Sequence, residues 1–162
     1  MFKSIRTNTG YDSGKRYIEF SIDSKDSRSV YVGVDDGTHN YVAPRSTGIG
    51  ENIAYSNSVS YKSAGRVFSR TSSLNTGGTG LPNDAYEQGD VIGMAVDLDI
   101  GSLSFYKNGS LVRTISYPAG LLTYVALSLY GPGQQITVNL SQDVPFAYAA
   151  PAGYTDWAGN PI

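Results

Sequence analysis

Cysteine is absent from the 162 residues, and histidine occurs once, as His39. Without thiols there is no disulfide, no thiolate nucleophile and no Cys-based zinc or iron–sulfur site. A single His excludes a multi-His metal site and leaves a nucleophilic triad with one candidate base, in a Gly/Thr/Asn loop and with no Gly-x-Ser-x-Gly elbow. Charge is sparse as well. Twelve basic and 14 acidic residues give a net charge of −2, which is not the electrostatic footprint of a nucleic-acid binder. No stretch approaches the roughly 20 apolar residues of a spanning helix. The opening Met1-Phe2-Lys3-Ser4-Ile5-Arg6 has no apolar run of signal-peptide length. The sequence thus reads as soluble, with no membrane insertion and no signal peptide. It predicts no catalytic residue, no metal site and no cofactor. The length suits one domain spanning 1–162, large enough to bury a core without cross-links.

What is present is glycine and tyrosine, 19 and 13 of them, a mix that binding surfaces favour. Helical periodicity is nearly missing, and period-two alternation recurs. Ile18, Phe20 and Ile22 alternate with Tyr17, Glu19 and Ser21. Val30, Val32 and Val34 alternate with Tyr31 and Gly33. Leu103 and Phe105, then Val125, Leu127 and Leu129, then Ile136, Val138 and Leu140 repeat the pattern. Residues 91–96 are almost continuously apolar, as expected of a central strand covered on both faces. Asp36-Gly37 and Asn108-Gly109 are short-hairpin dipeptides. Asp99-Ile100-Gly101 predicts another hairpin, and Pro132-Gly133 separates the last two strong strands. Many short strands with regular turns predict an all-β antiparallel sandwich or barrel. Residues 36–57 and 70–88 read as long irregular stretches. From 142 the chain is too rich in Pro and Ala for a strand, so 142–162 is expected to wrap a core of about 3–141 and pack by its aromatics.

Each candidate for chemistry has a plainer reading. Asp97-x-Asp99-x-Gly101 has part of a calcium-loop spacing, but the later Glu of such a loop is missing, so turn capping is expected. Asp35-Asp36-Gly37 is likewise expected to be turn chemistry. Gly77-Gly78-Thr79-Gly80 lacks the Gly-Lys-Ser/Thr ending of a phosphate cradle and reads as a loop tip. Glycoside hydrolysis needs two facing carboxyl groups. Only Glu19, Glu51 and Glu87 exist as glutamates, and Glu19 has no acid two residues away.

The stretch Gly89-Asp90-Val91-Ile92-Gly93, continued by Leu98-Asp99 and by Leu103-Ser104-Phe105-Tyr106-Lys107-Asn108-Gly109, resembles the central signature of SPRY domains. Residues 14–20, GKRYIEF, are similar to that family's "GKWYFEV" strand. Residues 60–68 resemble its mid-domain hairpin, and 124–130, 138–140 and Phe146-Ala147-Tyr148 its closing strands and tail. The segments occur in the family's order over roughly 3–155. Two departures stand out. Arg16 occupies the position of the family's Trp, an aromatic contact that neighbouring Tyr residues are expected to replace, and the chain begins about one strand later than the family usually does, which implies either a trimmed sequence or a sheet edge left uncovered.

The resemblance implies a bent antiparallel β-sandwich of two sheets, the concanavalin-like jelly roll, acting as a non-enzymatic recognition module that binds through loops at one end. Its flavour is closest to SPRY-like modules of bacteriophage virion and tail proteins. That implies a virion location, or otherwise a cytoplasmic one, and binding to a protein or glycan ligand at a host surface. The alternative is a structural capsid or tail decoration protein, contacting other virion proteins or forming a homo-oligomer through the uncovered edge. A polysaccharide-degrading enzyme ranks third, because concanavalin-like folds host glycosidases. The expected ligand surface combines Asp36, Thr38, His39, Asn40, Tyr41, Arg45, Tyr55, Tyr61, Arg66 and Asn75. Tyr in this set offers large contact area at low entropy cost.

Overall fold

The computed structural model describes residues 1–38, 48–51, 57–71, 74–80, 84–141 and 143–162, with the backbone alone for 71 and 74–80. Among these, no helix is long and apolar enough to cross a membrane. The strands are β1 (Lys3–Arg6), β2 (Lys15–Ser24), β3 (Val30–Asp35), β4 (Ser58–Lys62), β5 (Arg66–Thr71), β6 (Leu74–Gly80), β7 (Val91–Asp97), β8 (Ser102–Lys107), β9 (Ser110–Ser116), β10 (Tyr124–Leu129) and β11 (Gln135–Asn139). They form a six-stranded sheet, β1-β10-β3-β4-β5-β6, and a five-stranded sheet, β11-β2-β7-β8-β9. Every neighbouring pair is antiparallel. This is the two-sheet sandwich that the alternation and the resemblance both imply.

The apolar rows read from the sequence form the core between the sheets. Ile18, Phe20, Val30, Val32, Val34, Leu103 and Phe105 are fully buried there, joined by Met94, Val96 and Tyr86. β7 is buried along almost its whole length, as its continuous apolar run predicts. The Asn108-Gly109 turn closes β8 onto β9, and both residues have positive φ, 50° and 78°. That is the conformation a two-residue hairpin matched to sheet twist requires. Asn108 also accepts a hydrogen bond from the Val91 amide at 2.9 Å, tying the hairpin to β7.

Asp36-Gly37 is a different case. It ends β3 but opens no two-residue hairpin, because the partner strand β4 begins only at Ser58. The stretch 70–88 is not wholly irregular either. Residues 74–80, including the Gly77-Gly78-Thr79-Gly80 run read as a loop tip, form β6 at the edge of the six-stranded sheet. Pairing to β5 overrides the low strand propensity of glycine. The register of β5 and β6 shifts between Val67 and Ser69, the usual accommodation at a sheet edge.

The faces that alternation would leave to solvent are in large part covered. On the five-stranded sheet, Tyr17 and Glu19 are buried beneath the C-terminal segment. Glu19 accepts hydrogen bonds from the amides of Ala147 at 2.6 Å and Tyr148 at 2.9 Å and from the Tyr17 hydroxyl at 3.1 Å. Phe146 meets Tyr17 edge-on at 5.0 Å. The segment continues to Trp157, which is buried and donates its indole N–H to the Thr9 carbonyl. Here the Arg16 substitution finds its complement. Its guanidinium lies 3.8 Å from the Tyr11 ring centroid, Tyr11 meets Trp157 edge-on, and Nη1 of Arg16 donates to the Trp157 carbonyl at 3.0 Å. The ring that covers Arg16 is thus Tyr11, backed by Trp157 from the C-terminal end of the chain. On the six-stranded sheet, Gly48–Glu51 lies over Tyr31 and Phe68. The Ile49 amide donates to Ser128 at 3.1 Å, and its carbonyl accepts from Ser60 at 2.6 Å.

Because a carboxylate accepting backbone N–H bonds is worth roughly 1.5–3 kcal/mol per charge-assisted bond, Glu19→Ala is expected to destabilise the protein by about 2–4 kcal/mol. Chemical denaturation reads the loss. Limited proteolysis should show new cleavage in 143–156 before the sandwich itself is cut, and unchanged cleavage there would contradict the assigned role.

Candidate functional site

The connection 36–57 leaves the six-stranded sheet at the end where β3 stops and β4 starts, and its neck is tightly built. Asp35 is fully buried and accepts the Gly37 amide at 2.9 Å. Asp36 accepts the Thr38 amide at 3.1 Å and the Thr38 hydroxyl at 2.6 Å through one oxygen. Its other oxygen accepts from the side-chain amide of Asn57 at 3.0 Å. Asn57 has a φ of 56°, a left-handed conformation that Asn tolerates better than most residues. The two ends of the connection are therefore clasped by one side-chain pair. Tyr124, the first residue of β10, packs against Gly37, where an added Cβ would lie 2.5 Å from the ring. The Arg6 guanidinium sits 5.2 Å from the centroid of the Tyr124 ring and 3.8 Å from the Asp35 carboxylate. Arg6, Asp36, Thr38, Asn57 and Tyr124 thus make one polar-aromatic rim.

Of the residues the sequence proposes for a ligand surface, Asp36 and Thr38 are in this rim. Asn75 is placed by its backbone opposite Arg70, which in turn pairs with Ser58, so its row lies at the same end. His39, Asn40, Tyr41, Arg45 and Tyr55 lie outside the described residues. Arg66 is exposed but begins β5 opposite Lys62. Four residues of strand separate it from Arg70, roughly 13 Å, so it belongs to the other end of the sheet. Tyr61 is not at the surface. It is fully buried in the inner row, 4.9 Å from Tyr86 and 5.5 Å from Phe105, with its hydroxyl donating to the Asp84 carbonyl. Its position in β4 puts it on the same face as Val59, and that parity was the sequence signal for burial. Arg6, Asn57 and Tyr124 are the rim residues that sequence reading did not place here, because strand pairing brings them in from three separate parts of the chain.

The acidic groups considered for catalysis or metal binding have structural partners. Glu19 holds the C-terminal segment. Glu51 accepts from the Tyr31 hydroxyl at 2.6 Å and from Lys62 at 3.2 Å. Glu87 accepts from Lys25 at 2.7 Å. Asp97 accepts the amides of Asp99 and Ile100, the turn-capping role its spacing predicts. Among the described residues no group of three or more His, Asp or Glu is placed to hold a metal ion.

A family model described as the SPRY domain matches residues 15–143. No curated protein matches the chain significantly. Among solved structures, the SPRY domain of human HERC1 is similar, with a TM-score of 0.64 and 21% identity, covering 85% of this chain and 82% of that one. A second human SPRY domain is similar at a TM-score of 0.63 and 19% identity, covering 85% of this chain and 84% of the other. At these identities the structures establish the shared sandwich. Nothing in the likenesses points to a phage-type origin or to a glycan ligand.

The electrostatics of the neck make it sensitive to pH. Burial raises the Asp35 pKa from 3.8 to about 6, partly offset by the Gly37 amide and the Arg6 guanidinium, while neighbouring Asp36 adds to the rise. The folded protein therefore takes up a proton at Asp35 between pH 6 and 4, where the unfolded chain does not. Stability from this group rises as pH falls through that window, by about 3 kcal/mol when complete. Asp35→Asn keeps an acceptor for Gly37 and should remove this rise. Urea denaturation at pH 7, 6, 5 and 4 compares the two proteins. Parallel stability profiles across the window would contradict the assignment to Asp35.

Proposed function

The chain belongs to the SPRY family, whose domains are in general non-catalytic protein-interaction modules, and we propose that it binds a partner protein through the surface built on the 36–57 connection. The observation that carries this reading is the clasp between Asp36 and Asn57, 3.0 Å long. It sets a connection containing Thr38, His39, Asn40, Tyr41, Arg45 and Tyr55 on a rigid base, and loops positioned by a rigid scaffold are where binding residues concentrate. Tyr and Arg dominate the energetics of protein interfaces, and Asn, Ser and Gly adapt to a partner's polar groups. The rim of Arg6, Asp36, Thr38, Asn57 and Tyr124 adds one cation, one anion, two neutral polar groups and one aromatic. A protein offers complementary groups for all of these. A glycan surface would draw chiefly on exposed Tyr rings, and the burial of Tyr61 removes one of those proposed.

The test compares affinity-captured proteins from cell extract between the wild type and a Tyr41→Ala/Arg45→Ala/Tyr55→Ala variant, with a glycan array run in parallel. A specific protein should be retained by the wild type and weakened at least about tenfold in the variant, the scale of one hot-spot residue. Circular dichroism and melting temperature should match. Equal capture by both proteins would overturn the site. Array binding without a captured protein would overturn the partner class.

A further inference from the structure

Asn108-Gly109 is the only Asn-Gly dipeptide in the sequence, and both residues are exposed to water. Asn ahead of Gly is the most labile of amide side chains. The following residue has no Cβ, so its backbone nitrogen is open to attack the side-chain carbonyl carbon. The fold acts directly on this pair. The turn between β8 and β9 has room for these two residues only, because Lys107 already pairs with Ser110. The Asn108 side-chain amide is engaged at both atoms by the start of β7. Its Oδ1 accepts the Val91 amide at 2.9 Å, and its Nδ2 donates to the Asp90 carboxylate at 2.7 Å. The Asn108 backbone N–H donates to the Val91 carbonyl at 2.9 Å. Tyr148 closes over the turn: an added Cβ at Gly109 would lie 2.7 Å from its ring. The Tyr148 amide is itself held by Glu19 at 2.9 Å.

Deamidation begins when the Gly109 nitrogen bonds to the Asn108 side-chain carbonyl carbon. Ammonia leaves, and the product is a cyclic succinimide. Water then opens the ring at either carbonyl and leaves Asp or isoAsp at position 108. Water is the only co-reactant, and nothing is oxidised or reduced. In the folded chain the carbon is anchored through its own oxygen and nitrogen to Val91 and Asp90. Ring closure therefore waits on the loss of both bonds, which a local opening of the hairpin supplies. The product does not fit the place its precursor held. Asp at 108 puts an oxygen where Nδ2 donated, against the Asp90 carboxylate, and like charges at that distance repel. Asp90 also accepts the Glu87 amide at 2.8 Å and lies 3.6 Å from Lys107, so a single neighbouring cation would face two carboxylates. isoAsp adds a carbon to the main chain of a turn matched to two ordinary residues.

We propose that Asn108 is a site of spontaneous deamidation that the fold holds in check, and that its conversion unties the β8–β9 hairpin from β7. The change is irreversible, so each chain that opens here and reacts stays marked. Tyr148 rests on the same turn, and the loss therefore extends to the C-terminal segment. This site is distinct from the 36–57 connection, and its test is independent of it.

The full-length chain is incubated in mildly alkaline buffer beside a capped peptide of the same local sequence, acetyl-Tyr-Lys-Asn-Gly-Ser-Leu-amide. Peptide mapping by mass spectrometry follows Asp and isoAsp at position 108 and separates them from any change at Asp36-Gly37. The folded chain should convert at least about tenfold more slowly than the peptide. Asp90→Ala, which removes the partner of Nδ2, should speed conversion in the folded chain. Asn108→Asp stands for the product. It should lower the urea midpoint and raise hydrogen exchange at the Val91 amide. Adding Asp90→Asn reverses donor and acceptor and should recover part of both losses, which separates charge repulsion from a general loss of fold. The proposal is overturned if the folded chain converts as fast as the peptide. It is also overturned if Asn108→Asp leaves stability and Val91 exchange unchanged, or if Asp90→Asn recovers neither.

Discussion

Glu19 is 3% exposed on the outer face of a sheet, and the organisation of that half of the sandwich depends on what its carboxylate holds. Two consecutive amides, of Ala147 and Tyr148, and the hydroxyl of Tyr17 converge on its two oxygens. A buried charge without partners costs several kcal/mol. The C-terminal segment and Glu19 are therefore mutually required: the segment shields the carboxylate, and the carboxylate satisfies amides that no strand pairs. Desolvation, followed by the nearby Glu19 charge, raises the Tyr17 hydroxyl pKa well above its ordinary value, so that hydroxyl stays a donor at any physiological pH.

The six-stranded sheet meets the same constraint with different chemistry. Its outer face carries Tyr31, Ser60, Phe68 and Ser128. Gly48–Glu51 is fixed over them through both backbone groups of Ile49 and the carboxylate of Glu51. With outer faces covered as well as inner ones, β3 is buried at every position. Among the described residues this double cover stops at the rim around the neck and along the outer strands β1, β9 and β11. Partner binding is proposed at the neck for a physical reason: pairing and burial are complete along β3 and almost so along β7, so little is left there to offer a ligand.

Period-two spacing made the inner rows legible. Ile18 with Phe20, and Val30 with Val32, need only face the same side of a pleat to be core. The Asn108-Gly109 turn was equally legible, because few dipeptides accept two positive φ values. The loss of Trp at Arg16 and its replacement by a neighbouring Tyr, which is Tyr11, were legible, but the backing of Tyr11 by Trp157 was not. Trp157 is brought to Tyr11 from a distant sequence position, and no local pattern couples them. β6 was missed because its Gly-rich stretch has no strand propensity of its own. Tyr61 stands beside the turn between β4 and β5, where a Tyr reads as a surface residue, although its parity with Val59 puts it on the inner face. The rim was partly legible: Asp36 and Thr38 carry turn chemistry, while Arg6, Asn57 and Tyr124 reach it through pairing of β1 with β10 and β10 with β3.

By itself the sequence determined the all-β class, the inner apolar rows, the tight β8–β9 turn and the family. These depend on local spacing and on motifs in order, and both are properties of a linear string. Tertiary structure alone decided which polar residues became structural. Glu19 became a clasp, Asp35 a buried carboxylate that titrates near pH 6, and Tyr61 a core ring. It also decided where burial ends, at the neck and along the outer strands. Burial and hydrogen bonding are set by neighbours distant in the chain, and the sheet order that supplies those neighbours is not written in any one segment.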